Sequence, residues 1–392
     1  MSAPVIAVFT STRADWGLLK AFCAALQDKG AEVRIIATGT HLSRTFGETW
    51  REIQHDGFAI DERIPILVDS DDALGESKTM ALALAGTATY LVRKRPNAVL
   101  LLGDRYEMLG IAEAAFLARV PIVHVHGGEV TEGAIDDAVR HCITKLASLH
   151  LVSTEEYRRR VIQLGENPAT VFNVGAVGVE NVRSMRLLPK DELLRELGIS
   201  GINHYAMMTY HPETLGDGDY ASELDIVLAA TLEEGFDVIA TKANADAGGR
   251  VINARLDEWA SKNDRVHVYA SLGSLRYLSA VKSAQVVVGN SSSGILEAPA
   301  LGTPVINIGN RQRGRIRPVG VLDVELDSAQ IRSALSKVTS DEWKRAMVEA
   351  QNPYGDGHTS KRSSEIILHA LAEGFPQAKK FFDVVYDDSY GE

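Results

Sequence analysis

Short apolar runs rich in β-branched residues alternate with longer, helix-like stretches along almost the whole chain. The short runs are typical of strands, and the stretches between them have helical periodicity. Strands that are apolar on both faces and separated by helices predict parallel sheets covered on both sides. The pattern therefore predicts an α/β protein with doubly wound, Rossmann-like sheets. The predicted strands are Val5–Thr10, Glu32–Thr38, Ala98–Gly103, Ile122–Val125, Leu149–Thr154, Val171–Val174, Tyr205–Tyr210, Asp237–Thr241, Val266–Tyr269, Gln285–Gly289 and Pro304–Ile308.

The length of the chain, 392 residues, exceeds what one hydrophobic core usually serves. The alternation pauses between Gly178 and Asn203, where Pro189 interrupts the pattern. We therefore predict one Rossmann-like domain over residues 1–185, a second over residues 186–375, and an apolar tail, residues 376–392, that packs back on the body. The final helix, Ser360–Glu373, is assigned to the second domain. Two such domains facing a cleft would turn the carboxyl ends of their strands, where ligands bind, toward that cleft.

Composition and charge argue against several classes of partner. Lys and Arg number 41 and Asp and Glu 52, so the net charge of −11 disfavours nucleic acid and a polybasic membrane contact. The only two cysteines, Cys23 and Cys142, indicate buried free thiols in a reducing compartment. The first apolar run ends at Phe9 without a basic region before it, and no apolar stretch reaches about 18 residues. We expect a soluble cytoplasmic protein.

Polar residues follow the predicted strands of the first domain. Arg13 comes just after the first strand, where it either meets an anion or is a solvated loop arginine. Asp104 and Arg105 follow the strand Ala98–Gly103, and Asp104 is either an active-site acid or a helix N-cap. Each of these positions lies at a carboxyl end, so each is a candidate for a ligand contact.

A histidine pair and three acidic residues mark the next part of the first domain. His124 and His126 lie two apart, so both point to one side of a strand, where a histidine is usually a satisfied polar group of the core. With Glu129 they leave a metal site open as the alternative. Asp136 opens the following helix, where it interacts with the helix dipole or faces Glu129 and Asp104. Three neighbouring carboxylates would raise one another's pKa, which suits proton transfer near neutral pH.

The second domain contains the sequence Gly289-Asn-Ser-Ser-Ser-Gly294 between a strand and a helix. Such a turn offers backbone N–H groups, hydroxyls and a positive helix end to a phosphate, although a plain tight turn is the alternative. Glu297, farther into the helix, suits a ribose diol. Arg311 begins a series of four arginines at alternate positions, either a phosphate contact or a solvated basic loop. His211 and Asn244 follow two other strands. We therefore predict a nucleotide diphosphate site in this domain and carboxylates in the first.

These motifs resemble those of the hydrolysing UDP-N-acetylglucosamine 2-epimerases of sialic-acid biosynthesis. They follow one another in the same order as in that family, over residues 5–370. The resemblance implies a GT-B-like fold, a UDP-sugar substrate, and no metal or redox cofactor. It also implies a homodimer or homotetramer, which the apolar helical segments Met80–Val92 and Ile111–Ala118 favour. The matching motifs are Gly103-Asp-Arg-Tyr-Glu107, His124-Val-His-Gly-Gly-Glu129, Gly133-Ala-Ile-Asp-Asp137 with Arg140-His141 and Ile143-Thr-Lys145, His211-Pro212, Gly289-Asn-Ser-Ser-Ser-Gly294 and Tyr354-Gly-Asp-Gly357.

The resemblance implies a two-step hydrolase reaction on an O-glycosyl bond. UDP leaves by anti elimination as a base takes the C2 proton, which gives a 2-acetamidoglucal. Water then adds at C1 and a proton at C2, which releases N-acetylmannosamine. By the same resemblance, Asp104, Glu129 and Asp136 are candidates for the proton transfers, and His211 contacts the diphosphate and sugar. The residues implied to hold UDP are Arg13, Arg105, Asn244, Ser291, Ser292, Glu297 and Arg311.

Two questions stay open within the resemblance. Relatives carry Glu at the position of His126, and the only carboxylate of this loop is Glu129, so both residues are candidates for handling the C2 proton. A close branch with the same motifs uses UDP-N,N′-diacetylbacillosamine, in the legionaminic-acid pathway. Outside the resemblance, the rival hypotheses are a non-catalytic sugar-binding protein and a GT-B glycosyltransferase.

Overall fold

The computed structural model describes residues 3–68, 73–131, 135–212, 219–243, 249–375 and 378–385. Its contacts divide the chain into two compact units, each built on one parallel sheet. Unit 1 comprises residues 1–130, 134–177 and 358–392, and unit 2 comprises residues 131–133 and 178–357. The predicted fold class, α/β with two Rossmann-like domains of the GT-B type, is confirmed.

Unit 1 has a seven-stranded sheet whose strands all run parallel. The strands are β1 (Val5–Thr10), β2 (Glu32–Thr38), β3 (Ile60–Ile64), β4 (Ala98–Leu102), β5 (Ile122–Val125), β6 (Leu149–Val152) and β7 (Val171–Asn173). Their spatial order is β3-β2-β1-β4-β5-β6-β7, so the direction of winding reverses between β1 and β4. The helices are α1 (Arg13–Asp28), α2 (Trp50–His55), α3 (Ala73–Lys94), α4 (Tyr106–Leu117), α5 (Ile135–Leu146), α6 (Glu155–Gln163) and α7 (Val177–Ser184), which runs into unit 2; short 3-10 helices span Gly39–Leu42 and Pro168–Thr170.

Apolar residues on alternate positions of β1 fill two layers of unit 1. Val8 packs with Trp16 of α1 on one face of the sheet, and Phe9 packs edge-on against Tyr90 of α3 on the other. Burial of each large side chain contributes about 1.5–3 kcal/mol. Helix α1 starts where it does because Thr12 and Asp15 form a reciprocal capping box.

Unit 2 has a six-stranded parallel sheet of the same design. Its strands are β8 (Tyr205–Thr209), β9 (Asp237–Thr241), β10 (Val266–Tyr269), β11 (Val286–Gly289), β12 (Val305–Ile308) and β13 (Val321–Val324). Their order is β10-β9-β8-β11-β12-β13, so the reversal lies between β8 and β11. The helices are α8 (Lys190–Glu196), α9 (Tyr220–Glu233), α10 (Gly249–Lys262), α11 (Gly273–Ser283), α12 (Ser293–Ala300), α13 (Ser328–Val338) and α14 (Asp341–Glu349).

The last helix, α15 (Thr359–Glu373), belongs to unit 1, which corrects its assignment to the second domain. Ile367 is buried in the same core as Phe22 of α1, so the apolar face of α15 completes unit 1. It does so although α15 directly follows unit 2 in the chain. The boundary also moves, from residue 185 to the junction of Val177 and Gly178.

Two edge strands and one thiol also differ from expectation. Strands β3 and β13 were missed because their sequences, IDERI and VLDV, include charged residues that edge positions leave partly solvated. Cys23 is a buried free thiol as predicted, but Cys142 is exposed. Within the described ranges, no helix is both long and apolar enough to cross a bilayer.

The tail contacts unit 1 mainly through Lys379, which donates to the carbonyl oxygens of Lys145 and Ala147 at 2.7 and 2.6 Å. Of the apolar side chains expected to pack, Phe381 lies against Gly165 yet stays 65% exposed, and Val385 is 95% exposed. Tyr386 lies outside the described residues.

Candidate functional site

The reversal points of the two sheets fall where the sequence places its polar motifs. In unit 1, β1 leads to Arg13 and β4 leads to Asp104. In unit 2, β8 leads to His211 and β11 leads to Asn290. Loops diverge at a reversal point and leave a crevice at the carboxyl ends of the strands, which is the usual ligand site of open parallel sheets.

Arg140 of α5 is the centre of a charged cluster in unit 1. It is only 2% exposed, and its guanidinium forms an ion pair with Asp104. The same group donates to the backbone oxygen of Glu129 at 2.7 Å and to Asp137 Oδ1 at 3.0 Å. One buried cation therefore joins the loop after β4, the loop after β5 and the start of α5, so the acidic residues named from sequence lie around it.

Asp136 lies beside this cluster, and its pKa is raised above the usual value for aspartate. Burial is the main cause, because it disfavours the charged form, and the negative charge of Asp104 adds to it. Arg105 and Arg140 oppose the shift. A carboxyl group with a raised pKa next to an ion-paired carboxylate is a candidate arrangement for acid–base chemistry.

Glu129 and His126, the two candidates that the sequence leaves open, lie together. Glu129 is 8% exposed, accepts a hydrogen bond from Ser153 Oγ at 3.1 Å, and has Oε1 3.4 Å from His126 Nδ1. His126 Nε2 accepts from the backbone N–H of Val177 at 3.4 Å, which leaves the ring proton on Nδ1, toward Glu129. The pair has a carboxylate and an imidazole in position to share a proton.

His124 does not share this environment, so the expectation that both histidines point to one side is wrong. His126 has a positive φ of 67° and leaves the strand direction. His124 is fully buried, donates to the backbone oxygen of Gly103 at 2.8 Å and accepts from Thr144 at 3.2 Å. Burial lowers the pKa of His124 to about 3, so it is a neutral core histidine. Among the described residues, no group of His, Cys, Asp and Glu has the arrangement of a metal site.

Two arginines named from sequence have contrasting surroundings. Arg105 Nε donates to Glu107 Oε1 at 2.6 Å, and Glu107 is 2% exposed, so a buried carboxylate orients this guanidinium. Asp15 also attracts Arg105, although burial keeps the pKa of Asp15 raised. Arg13 is exposed instead, and its guanidinium pairs with Glu52 at 3.1 Å.

In unit 2, the turn after β11 is possible only with glycine at its first position. Gly289 has a φ of 140°, and a Cβ there would lie 2.1 Å from the backbone oxygen of Thr209. This close approach brings Asn290 against the loop after β8, where its side chain accepts from the N–H of His211 at 2.7 Å and donates to the oxygen of His211 at 2.8 Å. The amide therefore joins the two loops that diverge at the reversal point, and His211 is held at 6% exposure.

The backbone oxygen of Asn290 is in turn held by two side chains from the loop after β12. Arg311 Nη1 donates to it at 3.0 Å and Gln312 Nε2 at 2.9 Å. Ser291 and Ser292 follow directly and are half-buried at the start of α12. Arg311 is therefore held against the turn that carries Ser291 and Ser292 at the N-terminus of α12, and these are groups that suit a phosphate.

Glu297 lies one turn into α12, where it accepts a hydrogen bond from Ser293 Oγ. Burial raises the pKa of Glu297, and burial also raises the pKa of Tyr277, to about 12, with the charge of Glu297 adding to the effect. The carboxyl group is thus partly desolvated beside two hydroxyl groups, a setting suited to bonding a diol. Of the UDP candidates, Asn244 lies outside the described residues.

Four residues with clear contacts to the site were not named as site residues from the sequence, although two of them stand in the motifs quoted above. They are Arg140, Ser153, Gln312 and Ser293. Arg140 had a detectable signal, since it follows Asp136 and Asp137 on one helix at spacings of four and three and so shares their face. The other three are polar residues without a distinguishing pattern.

Comparison with known proteins shows which family the chain belongs to. A sequence model of the UDP-N-acetylglucosamine 2-epimerase family matches residues 24–368. A GDP/UDP-N,N′-diacetylbacillosamine 2-epimerase (hydrolyzing) from Campylobacter jejuni is 41% identical over 88% of this chain and 90% of its own. A UDP-N,N′-diacetylbacillosamine 2-epimerase (hydrolyzing) from Legionella pneumophila is 33% identical over 91% and 94%.

A solved structure provides the comparison of folds. The crystal structure of UDP-GlcNAc 2-epimerase from Neisseria meningitidis bound to UDP-GlcNAc matches with a TM-score of 0.77 and 18% identity, covering 93% of this chain and 100% of that chain. The family match and the two identities above establish that the chain belongs to the UDP-N-acetylglucosamine 2-epimerase family and is a UDP-sugar 2-epimerase.

Proposed function

We propose that the protein is a hydrolysing 2-epimerase that converts UDP-N-acetylglucosamine and water to N-acetylmannosamine and UDP in the biosynthesis of sialic-acid-type sugars. The observation that carries the proposal is the cluster around Arg140, which joins Asp104, the Glu129 loop and the start of α5. Removal and return of a proton at C2 on opposite faces requires more than one acid–base group. A cytoplasmic location belongs to the same proposal.

The first step removes the C2 proton and expels UDP. A carboxylate of unit 1 takes the proton, the C1–O bond to the β-phosphate breaks, and a double bond forms between C1 and C2. Asp104 is the candidate base, because it follows β4 at the reversal point and forms an ion pair with the buried Arg140. In the second step water adds at C1 and a proton returns to C2, and Asp136, with its raised pKa, suits the role of proton donor.

Unit 2 supplies the binding of UDP in this proposal. Arg311, Ser291 and Ser292, with the N-terminus of α12, would hold the diphosphate and stabilise the charge that develops on it as it leaves. Glu297 would accept hydrogen bonds from the ribose, and His211 would contact the diphosphate and sugar. Further candidates for UDP contacts are Arg13, Arg105 and Asn244. Asn244 is a candidate by resemblance alone.

A second substrate, UDP-N,N′-diacetylbacillosamine, is favoured by one specific observation. Two similar relatives, 41% and 33% identical, carry that substrate in their names. The chemistry at C1 and C2 is the same for both sugars, so the groups around Arg140 do not distinguish them. Discrimination would depend on the pocket for C4 and C6 of the sugar.

The experiment is to incubate the protein in deuterated water with UDP-N-acetylglucosamine, or with UDP- or GDP-linked N,N′-diacetylbacillosamine, and to identify the products by NMR. Release of UDP and of the free 2-epimer carrying deuterium at C2 supports elimination. Retention of the original proton contradicts elimination. A binding protein releases nothing, and a glycosyltransferase without an acceptor releases at most unepimerised sugar.

Loss of one phosphate contact should weaken UDP binding. Arg311→Ala and Arg13→Ala each remove a charge-assisted contact worth about 1.5–3 kcal/mol, so each should weaken UDP binding roughly tenfold or more without unfolding the protein. The larger loss of UDP affinity is expected for Arg311→Ala, because Arg311 also donates to the backbone oxygen of Asn290. Titration calorimetry with UDP measures the effect, and Arg345→Ala, an exposed arginine on α14 of the same unit, is the control. Unchanged affinity in both variants would remove both arginines from the site.

We also propose a homodimer or homotetramer assembled through helices α3 and α4. Large apolar side chains stay exposed on both, among them Val92 at 69% and Leu117 at 73%. Covering such residues in a second copy would remove apolar surface from water. Light scattering at micromolar concentration should give a multiple of the 42.5 kDa chain mass, and a monomeric mass would refute the assembly.

A further inference from the structure

A buried ionic cluster lies outside the site described above, around Glu166. This side chain is fully buried and accepts from Lys145 Nζ at 2.6 Å, from His150 Nε2 at 3.0 Å and from Lys379 Nζ at 2.5 Å. Burial alone would raise the pKa of Glu166, but these three donors outweigh it and hold the pKa at about 2. The carboxylate is therefore charged, and the tail supplies one of the two cations that compensate it.

The same ammonium group of Lys379 caps the end of α5. Besides Glu166, it contacts the backbone oxygens of Thr144 at 3.3 Å, Lys145 at 2.7 Å and Ala147 at 2.6 Å. The last carbonyls of a helix lack partners within the helix, and a cation there interacts favourably with the helix dipole. A residue of the tail thus satisfies the carboxyl end of the helix that carries Asp136 and Arg140.

Two further contacts hold this part of the tail in place. The backbone N–H of Phe382 donates to the oxygen of Gly165 at 2.9 Å. The ring of Phe381 lies against Gly165, where a Cβ would come within 2.2 Å of it, and Lys145 Nζ lies 4.9 Å from the ring centre. Residues 379–382 are therefore seated against the end of α5 by backbone, ring and charge together.

The capped end of α5 is linked to Asp104 by a short series of contacts. Thr144, whose backbone oxygen contacts Lys379, donates its hydroxyl to His124, and His124 donates to the oxygen of Gly103. Gly103 immediately precedes Asp104. From the same helix, five residues nearer its start than Lys145, Arg140 pairs directly with Asp104. Position and rotation of α5 therefore set the position of Asp104 from two sides.

We propose that Lys379 is a positioning residue for the epimerase reaction: the tail segment 379–382 caps α5 and holds Arg140 and Asp104 in their productive arrangement. The inference rests on the proposed function, because it takes the cluster around Arg140 as the site of proton transfer. It adds a role for a segment beyond residues 24–368, which the family model matches.

The test compares Lys379→Met, Lys379→Arg and Lys380→Met in the full-length protein. Lys379→Met keeps the length of the side chain and removes the charge, Lys379→Arg keeps the charge, and Lys380 is an exposed neighbour on the same segment. Loss of a charge-assisted cap should lower kcat roughly tenfold in Lys379→Met, with KM and UDP affinity unchanged. Lys379→Arg should retain more activity than Lys379→Met, and Lys380→Met should match the wild type.

Hydrogen exchange measured by mass spectrometry gives a readout that does not depend on turnover. Amides near the end of α5, residues 142–147, should exchange faster in Lys379→Met than in the wild type, and those of unit 2 should not change. The inference is overturned if kcat and α5 exchange both stay at wild-type levels, or if UDP affinity and the melting temperature fall together with kcat, which indicates a general loss of structure. Absence of turnover in the wild type would refute the proposed function alone, because the exchange result still decides whether the tail holds α5.

Discussion

Replacing Asp104 by asparagine should lower turnover by about 10²–10⁴-fold while UDP still binds. Asparagine keeps the shape of the side chain but cannot take a proton, and Asp104 is the carboxylate that pairs with Arg140 just after β4. UDP affinity should persist, because its proposed contacts are mainly in unit 2. Steady-state kinetics and titration calorimetry with UDP measure the two quantities separately.

The control for Asp104 is Asp28→Asn, which alters an exposed carboxylate at the end of α1 in the same unit. Wild-type turnover is expected for the control. If Asp104→Asn retains turnover within roughly threefold of the wild type, Asp104 is not the general base, because loss of that group should lower turnover far more.

The same kinetic comparison resolves which of His126 and Glu129 carries a proton. The two side chains lie 3.4 Å apart, so each change perturbs the other residue, and the relative size of the two effects is the informative quantity. If Glu129→Gln is nearly silent and His126→Asn is inactive, the imidazole is the carrier and the assignment to Glu129 is wrong. Loss of activity in both variants would indicate that the pair acts as a unit.

Replacing Arg140 by methionine should have the second large effect, on activity and on stability together. The change leaves Asp104, Asp137 and the backbone oxygen of Glu129 without the donor that they share. A buried acceptor that loses its partner costs about 1–3 kcal/mol, and the loss of alignment should reduce kcat/KM by roughly 10²–10³-fold. Chemical denaturation and steady-state kinetics measure the two effects.

Arg159→Met is the matched control for Arg140, since Arg159 is 78% exposed on α6 of the same unit and its nearest ion pair, to Glu155, is 4.0 Å long. Surface pairs of this kind contribute little to stability, so the control should unfold at the wild-type denaturant concentration. Wild-type stability and activity in Arg140→Met would show that the cluster does not organise the site.

Much of the fold was predictable because its signals are local. The central strands β4, β5 and β6 are apolar on both faces, since helices cover them, and runs of that kind stand out in a sequence. The edge strands β3 and β13 lack the signal, because a strand that is partly solvated tolerates charged residues. Helix α15 was recognised as a helix but placed in the wrong unit, because an amphipathic face does not specify which core it covers.

The candidate site was predictable to a similar extent. Carboxyl ends of parallel strands gather at one edge of a sheet, so Asp104, Glu129 and Asp136 could be named from their positions after strands. The different environments of His124 and His126 could not be predicted. Strand periodicity alone places both side chains on one side, but the positive φ of His126 redirects its side chain.

The sequence by itself determined the two Rossmann-like units, the glycine-dependent turn after β11 and the acidic residues of the first unit. Periodicity, turn chemistry and the order of motifs depend on neighbours within a few residues, so a linear sequence displays them. Tertiary structure decided which groups the charged side chains contact. Arg140 meets Asp104 across 36 residues, and Lys379 meets Ala147 across 232. Contacts at such separations depend on how the helices cross back over the sheet, and the sequence near either partner carries no sign of the other.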